Sequence, residues 1–388
     1  MDCYIWPVPH IAPFRGFLYD RELVPRLEDV VAPPYDVIDP AERTALLGRH
    51  PWNAAHIEVG DADEVGDCYT AACRRFQAWT ARGILRRDPE PRLYLYRQGY
   101  HDSDGRPRQT SGVIAAVGLE EPGHGILPHE ETMPKPLGDR LDLLRACRVN
   151  VSPIYVLSTA TGFSELLEPE GPPRAAVTDS DGVHHRLYDI MLGGRIAALC
   201  EAVGSAPLVI ADGHHRYQTA LAYQREEGGE MPGADSIMAF VVELSTEQLT
   251  VRAIHRLLPR VVDLPNGDIV KGHLDAAATE RGTVVVATAP RQGIAIDPPP
   301  PGTSASAHLH DSVLTALGVD PAELSYEADP ARVVTALETG ATTAFYLPPV
   351  SVEAIAEVAR MGGRFPQKTT YFAPKPLTGL VYRSLVES

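Results

Sequence analysis

The sequence contains little cysteine and no long hydrophobic run. Its five cysteines are an odd number and none lies in a Cys-x-x-Cys pair, so neither a disulfide framework nor a cysteine zinc site is expected. No segment approaches the roughly 18 apolar residues of a membrane-spanning helix, and the first residues lack the charged and then apolar pattern of a signal peptide. These absences predict a cytoplasmic protein with reduced cysteines and no membrane partner.

Positive charge is also scarce. The chain has 35 Lys and Arg residues against 51 Asp and Glu residues, a net charge of −16, which disfavours general electrostatic attachment to nucleic acid. Any bound phosphate must therefore meet a local basic pocket. The sequence also lacks a Walker lysine loop, a Gly-x-Gly-x-x-Gly after a strand and a Gly-x-Ser-x-Gly elbow. P-loop, Rossmann and serine-hydrolase functions are disfavoured for this reason.

The remaining composition is that of a folded protein. Its 388 residues, 44% hydrophobic and 22% charged, predict two or three domains. Strands and helices alternate irregularly and adjacent strands are often joined by turns, which predicts an α+β fold with a mixed sheet rather than a doubly wound one. Proline clusters at 168–173 and 297–302 predict loops. Strands are predicted within 91–98, 108–119, 151–157, 183–189, 236–244, 284–287 and 343–347, and helices within 63–82, 192–203, 331–338 and 352–361, with a further helix opening at 139.

The most informative segment is 207–223, an apolar strand followed by Asp212-Gly213-His214-His215-Arg216 and a helix. Asp212 can cap the helix, and Gly213 allows close approach to the backbone. The open N-terminus of a helix favours an anion, and basic side chains in its first turn repel one another unless an anion neutralises them. This pattern predicts phosphate binding. The alternative is structural, with the histidines capping or packing; zinc is disfavoured because neighbouring helical side chains point about 100° apart.

A second segment, 125–140, has proline and glycine around acids and bases, which predicts a loop of fixed shape entering a helix. Glu130 is the candidate general base, and Lys135 and Arg140 are candidate holders of phosphate oxygens. His129 and Thr132 are candidate substrate contacts. The alternative is a solvated loop with internal ion pairs.

A third segment, 365–379, alternates lysines, hydroxyls and prolines. It suits a rigid arm that closes over a phosphate pocket with Lys368 and Lys375 as point charges, or equally a soluble edge strand. Tyr35 and Asp36, after a double proline, are weaker candidate substrate contacts.

Two further histidine groups favour no site. His184 and His185 alternate in a strand pattern and so should point to opposite faces of a sheet. The 308–311 segment, His-Leu-His-Asp, lacks an evident spaced partner for a metal. No metal ligand is firmly assigned.

Several segments resemble a bacterial and archaeal family catalogued as domain of unknown function 1015. The resemblance runs from near residue 7 to about 385 and favours Glu130 over Glu131 as the base, but the family has no assigned reaction. The matching segments are Val31–Ile38, Pro128–Thr132, Asp139–Leu141, Asn150–Tyr155, Asp212–Arg216 and Lys368–Lys375.

The unit formed by the strand, the Asp-Gly-His-His-Arg motif and the helix also resembles, more distantly, the phosphate-binding element of the ParB/sulfiredoxin-like fold. Within that fold, the motif is most similar in sequence to that of free serine kinases. The resemblance implies a ParB/sulfiredoxin-like core at 92–258 between an N-terminal lobe at 1–91 and a C-terminal lobe at 259–388. It further implies ATP or ADP with Mg²⁺ as cofactors, an upstream glutamate as base toward a hydroxyl, and Asp212 and His214 as catalytic residues beside Glu130.

Two functional hypotheses follow. The first is a nucleotide-dependent kinase that phosphorylates the hydroxyl of a small metabolite such as serine. The second is a regulator that binds a nucleotide or phosphometabolite without turnover; a phosphatase or nucleotide hydrolase would use the same pocket with water as the acceptor.

Overall fold

The chain, seen in a computed structural model, divides into two units. The structure describes residues 9–102, 105–131, 138–227, 229–340 and 342–386. Of these, the first unit takes 9–128, 138–249 and 374–386, and the second takes 129–131 and 250–373 apart from residue 341. The C-terminal segment of the chain thus belongs to the same unit as its N-terminal half.

The first unit is built on a mixed sheet. The strands of this unit are β1 (Ile11–Ala12), β2 (Phe17–Tyr19), β3 (Leu85–Arg87), β4 (Leu93–His101), β5 (Pro107–Gly118), β6 (Ile126–Pro128), β7 (Val149–Asn150), β8 (Ile154–Ser158), β9 (Ala175–Thr178), β10 (His184–Ile190), β11 (Leu208–Asp212), β12 (Ser236–Glu243) and, near the end of the chain, β21 (Arg383–Ser384). Outside the mixed sheet, β2 pairs with β3 and β7 with β21. Within the described residues, nine strands join in the order β6-β11-β8-β12-β5-β4-β10-β9, with β1 on β5. The pairs β6–β11 and β8–β12 are parallel and the others antiparallel. β12 is buried along nearly its whole length, which explains its continuous apolar sequence.

The helices of the first unit are α1 (Pro40–Arg49), α2 (Ala55–Glu58), α3 (Cys68–Ala81), α4 (Gly138–Cys147), α5 (Gly193–Gly204) and α6 (His214–Glu227). Asp67 caps α3 by accepting from the Thr70 amide, so this helix begins later than the predicted residue 63. Tyr217, Ala220 and Leu221 of α6 join the core formed by the central strands. This packing fixes the start of α6 at the end of β11.

The second unit has its own sheet and cores. Its strands are β13 (Thr250–Ala253), β14 (His255–Leu258), β15 (Asp268–Lys271), β16 (Val285–Ala289), β17 (Gln292–Ala295), β18 (Ser325–Glu327), β19 (Thr343–Tyr346) and β20 (Thr370–Ala373). Among its described residues, six strands are ordered β15-β17-β16-β19-β14-β18, and β13 pairs with β20. Its helices are α7 (Leu274–Arg281), α8 (Ala305–His308), α9 (Leu314–Ala316), α10 (Pro330–Glu338) and α11 (Val352–Arg360).

The predicted α+β class with a mixed sheet is confirmed. The proline clusters at 168–173 and 297–302 lie outside helices and strands, as predicted. The three-part division at residues 91 and 258 stays a prediction. In the described part of the chain, no helix combines the length and the apolar character needed to cross a bilayer.

Candidate functional site

The candidate site is built around the turn between β11 and α6. β11 ends at Asp212, α6 begins at His214, and Gly213 between them has φ of +93°. A Cβ atom on Gly213 would lie 2.7 Å from Ile154 Cγ2, so a larger residue would have to displace the Ile154 side chain as well as adopt a positive φ. The first amide groups of an α-helix have no acceptor within the helix, and for this reason a helix N-terminus such as that of α6 favours an anion.

Asp212 is held by two cations. Its Oδ1 accepts from Lys375 Nζ at 2.5 Å and its Oδ2 from Arg216 Nη2 at 2.8 Å. Burial alone would raise the pKa of Asp212, but the charges of Lys375 and Arg216 outweigh it and hold this pKa well below the usual range. The carboxylate therefore ties the turn to two cations.

Lys375 bridges two carboxylates. Besides Asp212 it donates to Asp36 Oδ2 at 2.9 Å. Burial would lower the pKa of Lys375, but the two carboxylates raise it above its ordinary value. Two bonds fix the backbone here, since Gln98 Nε2 donates to the carbonyl of Lys375 at 3.0 Å and the Leu377 amide donates to Tyr96 Oη at 3.2 Å. The part of the predicted C-terminal arm that belongs to the first unit, from residue 374 onward, is thus anchored beside the turn.

Arg216 points into the first unit. Its Nη1 donates to Ser152 Oγ at 3.1 Å and to the Pro153 carbonyl at 2.6 Å, and only 10% of its side chain is exposed. His214 and His215 are half-buried. Of the three basic residues in the first turn, Arg216 is therefore committed to internal partners.

A buried glutamate extends this network. Arg140 Nη1 donates to Glu58 Oε1 at 3.3 Å and to the Glu58 carbonyl at 2.9 Å, and Ser152 Oγ donates to the same Oε1 at 3.5 Å. Burial raises the pKa of Glu58, against the lowering by Arg140 and Arg216. Glu58 was not among the predicted site residues. The signal that could have found it is that it is the single acid of the stretch 51–58.

Tyr35 packs against both guanidinium groups. The Arg140 Cζ lies 4.5 Å and the Arg216 Cζ 5.9 Å from the centre of the Tyr35 ring. Burial raises the pKa of Tyr35 despite these cations. The structure therefore brings six of the predicted residues into one network in the first unit: Tyr35, Asp36, Arg140, Asp212, Arg216 and Lys375.

Glu130 belongs to the second unit, where it holds the start of β20. Its Oε1 accepts from the Thr370 amide at 2.7 Å and from Thr370 Oγ1 at 2.6 Å, and its Oε2 accepts from the Lys368 amide at 3.0 Å. Burial would raise the pKa of Glu130, but hydrogen bonds from His129 and Thr370 outweigh it and lower this pKa to about 2. Both carboxylate oxygens are thus engaged.

The other predicted residues of the second and third segments have varied positions. His129 is buried and its Nε2 lies 2.7 Å from Thr370 Oγ1. Lys368 is exposed and has φ of +56°, an uncommon conformation for a residue other than glycine. Thr132 and Lys135 lie outside the described residues.

The neighbouring histidines His184 and His185 lie in different environments. His185 is buried between Tyr96 Oη at 2.6 Å and Asp179 Oδ2 at 2.9 Å, whereas His184 is exposed, so the two point to opposite faces as predicted. Across the described ranges, no three or more His, Cys, Asp or Glu side chains are grouped to hold a metal ion.

Comparison with families and curated proteins gives one match. The model of the family described as protein of unknown function (DUF1015) matches residues 11–313. No curated protein matches the chain.

Solved structures give distant likenesses. A free serine kinase mutant in complex with ADP is 11% identical, with a TM-score of 0.37, and the match covers 64% of this chain and 84% of that one. A conserved hypothetical protein from Pyrococcus furiosus is 12% identical, with a TM-score of 0.37 and coverage of 66% and 90%. C-terminally truncated SbnI from Staphylococcus aureus is 13% identical, with a TM-score of 0.35 and coverage of 68% and 85%. Similarities this distant do not indicate an activity.

Proposed function

The chain belongs to the DUF1015 family of proteins of unknown function, and we propose that it is a nucleotide-dependent phosphotransferase that acts on the hydroxyl of a small metabolite such as serine. The observation that carries the proposal is the Asp212–Arg216 turn, in which a strand, a left-handed glycine and a 14-residue helix follow one another directly. The resemblance of this unit to the phosphate-binding element of ParB/sulfiredoxin-like proteins supports the same conclusion, and such a core within 92–258 is part of the proposal.

The residues of the turn fit the phosphates of ATP or ADP. The N-terminus of α6 offers backbone donors and the positive end of a helix dipole. His214 and His215 stand half-buried in the first turn, where protonated imidazoles would add charge-assisted hydrogen bonds to phosphate oxygens. Arg216 and Lys375, through Asp212, fix the turn in place. We therefore assign His214 and His215 to phosphate contact and Arg216 and Lys375 to support of the turn.

The described residues do not fit a protein-bound Mg²⁺. Both oxygens of Asp212 are taken by cations, and no cluster of ligating side chains surrounds a common point in the described ranges. Because Mg²⁺ in such enzymes is usually held largely by the substrate phosphates, it belongs in the assay buffer with the nucleotide. No step of the proposal depends on it.

The general base of the reaction is assigned by family resemblance to Glu130. This assignment stays a prediction, and one observation favours the second candidate function, a regulator that binds nucleotide without turnover. A carboxylate whose pKa is about 2 and whose two oxygens are engaged is a weak proton acceptor.

Nucleotide titration tests the binding half of the proposal. Isothermal titration of ADP and of ATP with Mg²⁺ into the protein should show saturable binding that His215→Ala weakens, since one donor to a charged acceptor is worth about 1.5–3 kcal/mol. His184→Ala is the matched control, because His184 is an exposed histidine elsewhere in the same unit. Equal affinities in all three proteins would contradict phosphate binding at this turn.

Turnover is tested separately by incubating the protein with ATP, Mg²⁺ and a panel of hydroxy amino acids and following the products by ³¹P NMR. A new phosphomonoester signal supports the kinase. Binding without any product supports the regulator, and inorganic phosphate as the product supports a hydrolase.

A further inference from the structure

A small cavity lies beside the buried glutamate of the candidate site. It has a volume of about 50 Å³ and a wall that combines polar side chains, among them Glu58, Arg140, Ser152, Arg216 and Thr219, with apolar ones such as Leu143, Leu144 and Ile237. One water molecule requires about 10–15 Å³ measured in this way. The cavity therefore has room for a few water-sized groups, such as the hydroxyl-bearing end of a small molecule.

Three polar atoms of this wall are buried without a hydrogen-bond partner among the described residues: Glu58 Oε2, Arg216 Nε and Thr219 Oγ1. Buried polar atoms are nearly always paired, so three such atoms around one cavity need an explanation. A carboxylate oxygen only accepts, the Nε of arginine only donates, and a threonine hydroxyl does both. A hydroxyl group satisfies this set, since it can donate to Glu58 and accept from Arg216 or Thr219.

The cavity is linked to the turn that we assign to phosphate. Arg216 donates to Asp212 with Nη2 and to Ser152 with Nη1, and Ser152 in turn donates to Glu58. One side chain, Arg216, thus spans from the turn to the cavity wall. The cavity therefore borders the first two turns of α6, through Arg216, Thr219 and Ala220.

We propose that this cavity receives the hydroxyl of a small hydroxy compound and that Glu58 accepts its proton during phosphoryl transfer; the catalytic part rests on the proposed function. The hydroxyl proton passes to Glu58 as the hydroxyl oxygen forms a bond to the terminal phosphorus of the nucleotide. The bond from that phosphorus to the bridging oxygen breaks, and its electron pair leaves with the shortened nucleotide. Glu58 then returns the proton to solvent.

The environment of Glu58 suits this role better than that of Glu130. Burial raises the pKa of Glu58, whereas the hydrogen bonds of Glu130 hold its pKa at about 2. A base with the higher pKa takes a hydroxyl proton more readily. Glu58 also retains one oxygen without a partner in the described residues, while both oxygens of Glu130 are engaged.

The catalytic part is tested by Glu58→Gln beside Glu130→Gln, with turnover followed over a range of pH and nucleotide affinity by titration. We expect Glu58→Gln to lower kcat by roughly 10²–10⁴-fold, the contribution of general-base catalysis, with unchanged nucleotide affinity and loss of the acidic limb of the pH profile. Loss of turnover only in Glu130→Gln would overturn the assignment.

Binding in the cavity is tested without turnover, so that failure of the cavity proposal can be told apart from failure of the proposed function. Ala220 lines the cavity, and Ala220→Leu should fill it, whereas Ala222→Leu places the same side chain on α6 outside the lining. Calorimetric titration of serine should show binding to the parent protein and to Ala222→Leu. The affinity of Ala220→Leu for serine should be lower by roughly ten-fold or more, the scale expected when a group does not fit its pocket. Absence of binding to the parent protein, or equal binding to both variants, would show that the cavity holds water only and would overturn the proposal.

Discussion

Lys375 Nζ lies 2.5 Å from Asp212 Oδ1, although 163 residues separate the two along the chain. The same ammonium group lies 2.9 Å from Asp36 Oδ2, so a residue of the C-terminal segment neutralises two carboxylates contributed by distant parts of the chain. The candidate site in the first unit therefore depends on three separate stretches of sequence. Its integrity can be tested through each of them.

Removal of the lysine charge should destabilise the protein. Lys375→Met leaves Asp36 and Asp212 without their shared partner in a largely buried position, and breaking such a pair costs about 3–5 kcal/mol. Urea unfolding measures the change, with Lys271→Met as a control because Lys271 is exposed. Equal midpoints for the two variants would contradict the structural role of Lys375.

The turn should tolerate no side chain at Gly213. Gly213→Ala forces a Cβ atom close to Ile154 at a φ of +93°, and strained backbone of this kind costs about 1–3 kcal/mol. Gly194→Ala is the control: Gly194 lies in the first turn of α5 with open space around it, where alanine should stabilise by roughly 0.5–1 kcal/mol. The midpoint temperature of thermal unfolding should fall for Gly213→Ala and rise for Gly194→Ala. A shift of the same sign in both variants would be contrary to this geometry.

Acid stability should depend on Glu130. Its pKa falls from 4.5 to about 2 on folding, so the folded state binds fewer protons than the unfolded state in this range. The resulting stability is fully present above pH 4.5 and is lost as pH falls toward 2, a change on the order of 3 kcal/mol. In urea titrations across this pH range, the free energy of unfolding of Glu130→Gln should fall less steeply with pH than that of the parent protein. The control is Glu131→Gln, because Glu131 is the exposed neighbour of Glu130. If Glu131→Gln changed the acid dependence as much as Glu130→Gln does, the acid stability could not be attributed to Glu130.

The two basic residues at 215 and 216 should differ in the property that they control. Arg216→Ala removes the partner of Asp212 and the donor to Ser152 and Pro153, so we expect a loss of stability of about 3–5 kcal/mol. His215→Ala should lower nucleotide affinity and should reduce the free energy of unfolding by less than Arg216→Ala does, because His215 is half-buried whereas Arg216 forms a largely buried ion pair with Asp212. A stable Arg216→Ala protein with full affinity would contradict the network described above.

The local part of the site could be predicted from sequence. The apolar run before Asp212, the glycine and the periodic helix after it are neighbours in the chain, and the structure has β11 and α6 at these positions. The start of α3 was misplaced because the Asp67 cap competes with the earlier acidic residues.

The non-local part could not be predicted in the same way. Contacts between distant segments leave no periodic pattern in the sequence. Two such features are the pairing of Lys375 with Asp36 and Asp212 and the burial of Glu58 beside Arg140. The residue pattern of the two segments pointed to Lys375 and Arg140 as phosphate contacts, while the structure gives them carboxylate partners. It did not point to Glu58.

The most direct test of the central claim is a ³¹P NMR time course of the protein with ATP, Mg²⁺ and serine, run beside Asp212→Asn. The account predicts that the terminal phosphate signal of ATP declines while a phosphomonoester signal grows, and that Asp212→Asn, in which one oxygen that pairs with Lys375 or Arg216 is replaced, slows this conversion. An ATP spectrum that stays unchanged with serine and the other hydroxy amino acids, or conversion at the same rate in both proteins, would contradict it.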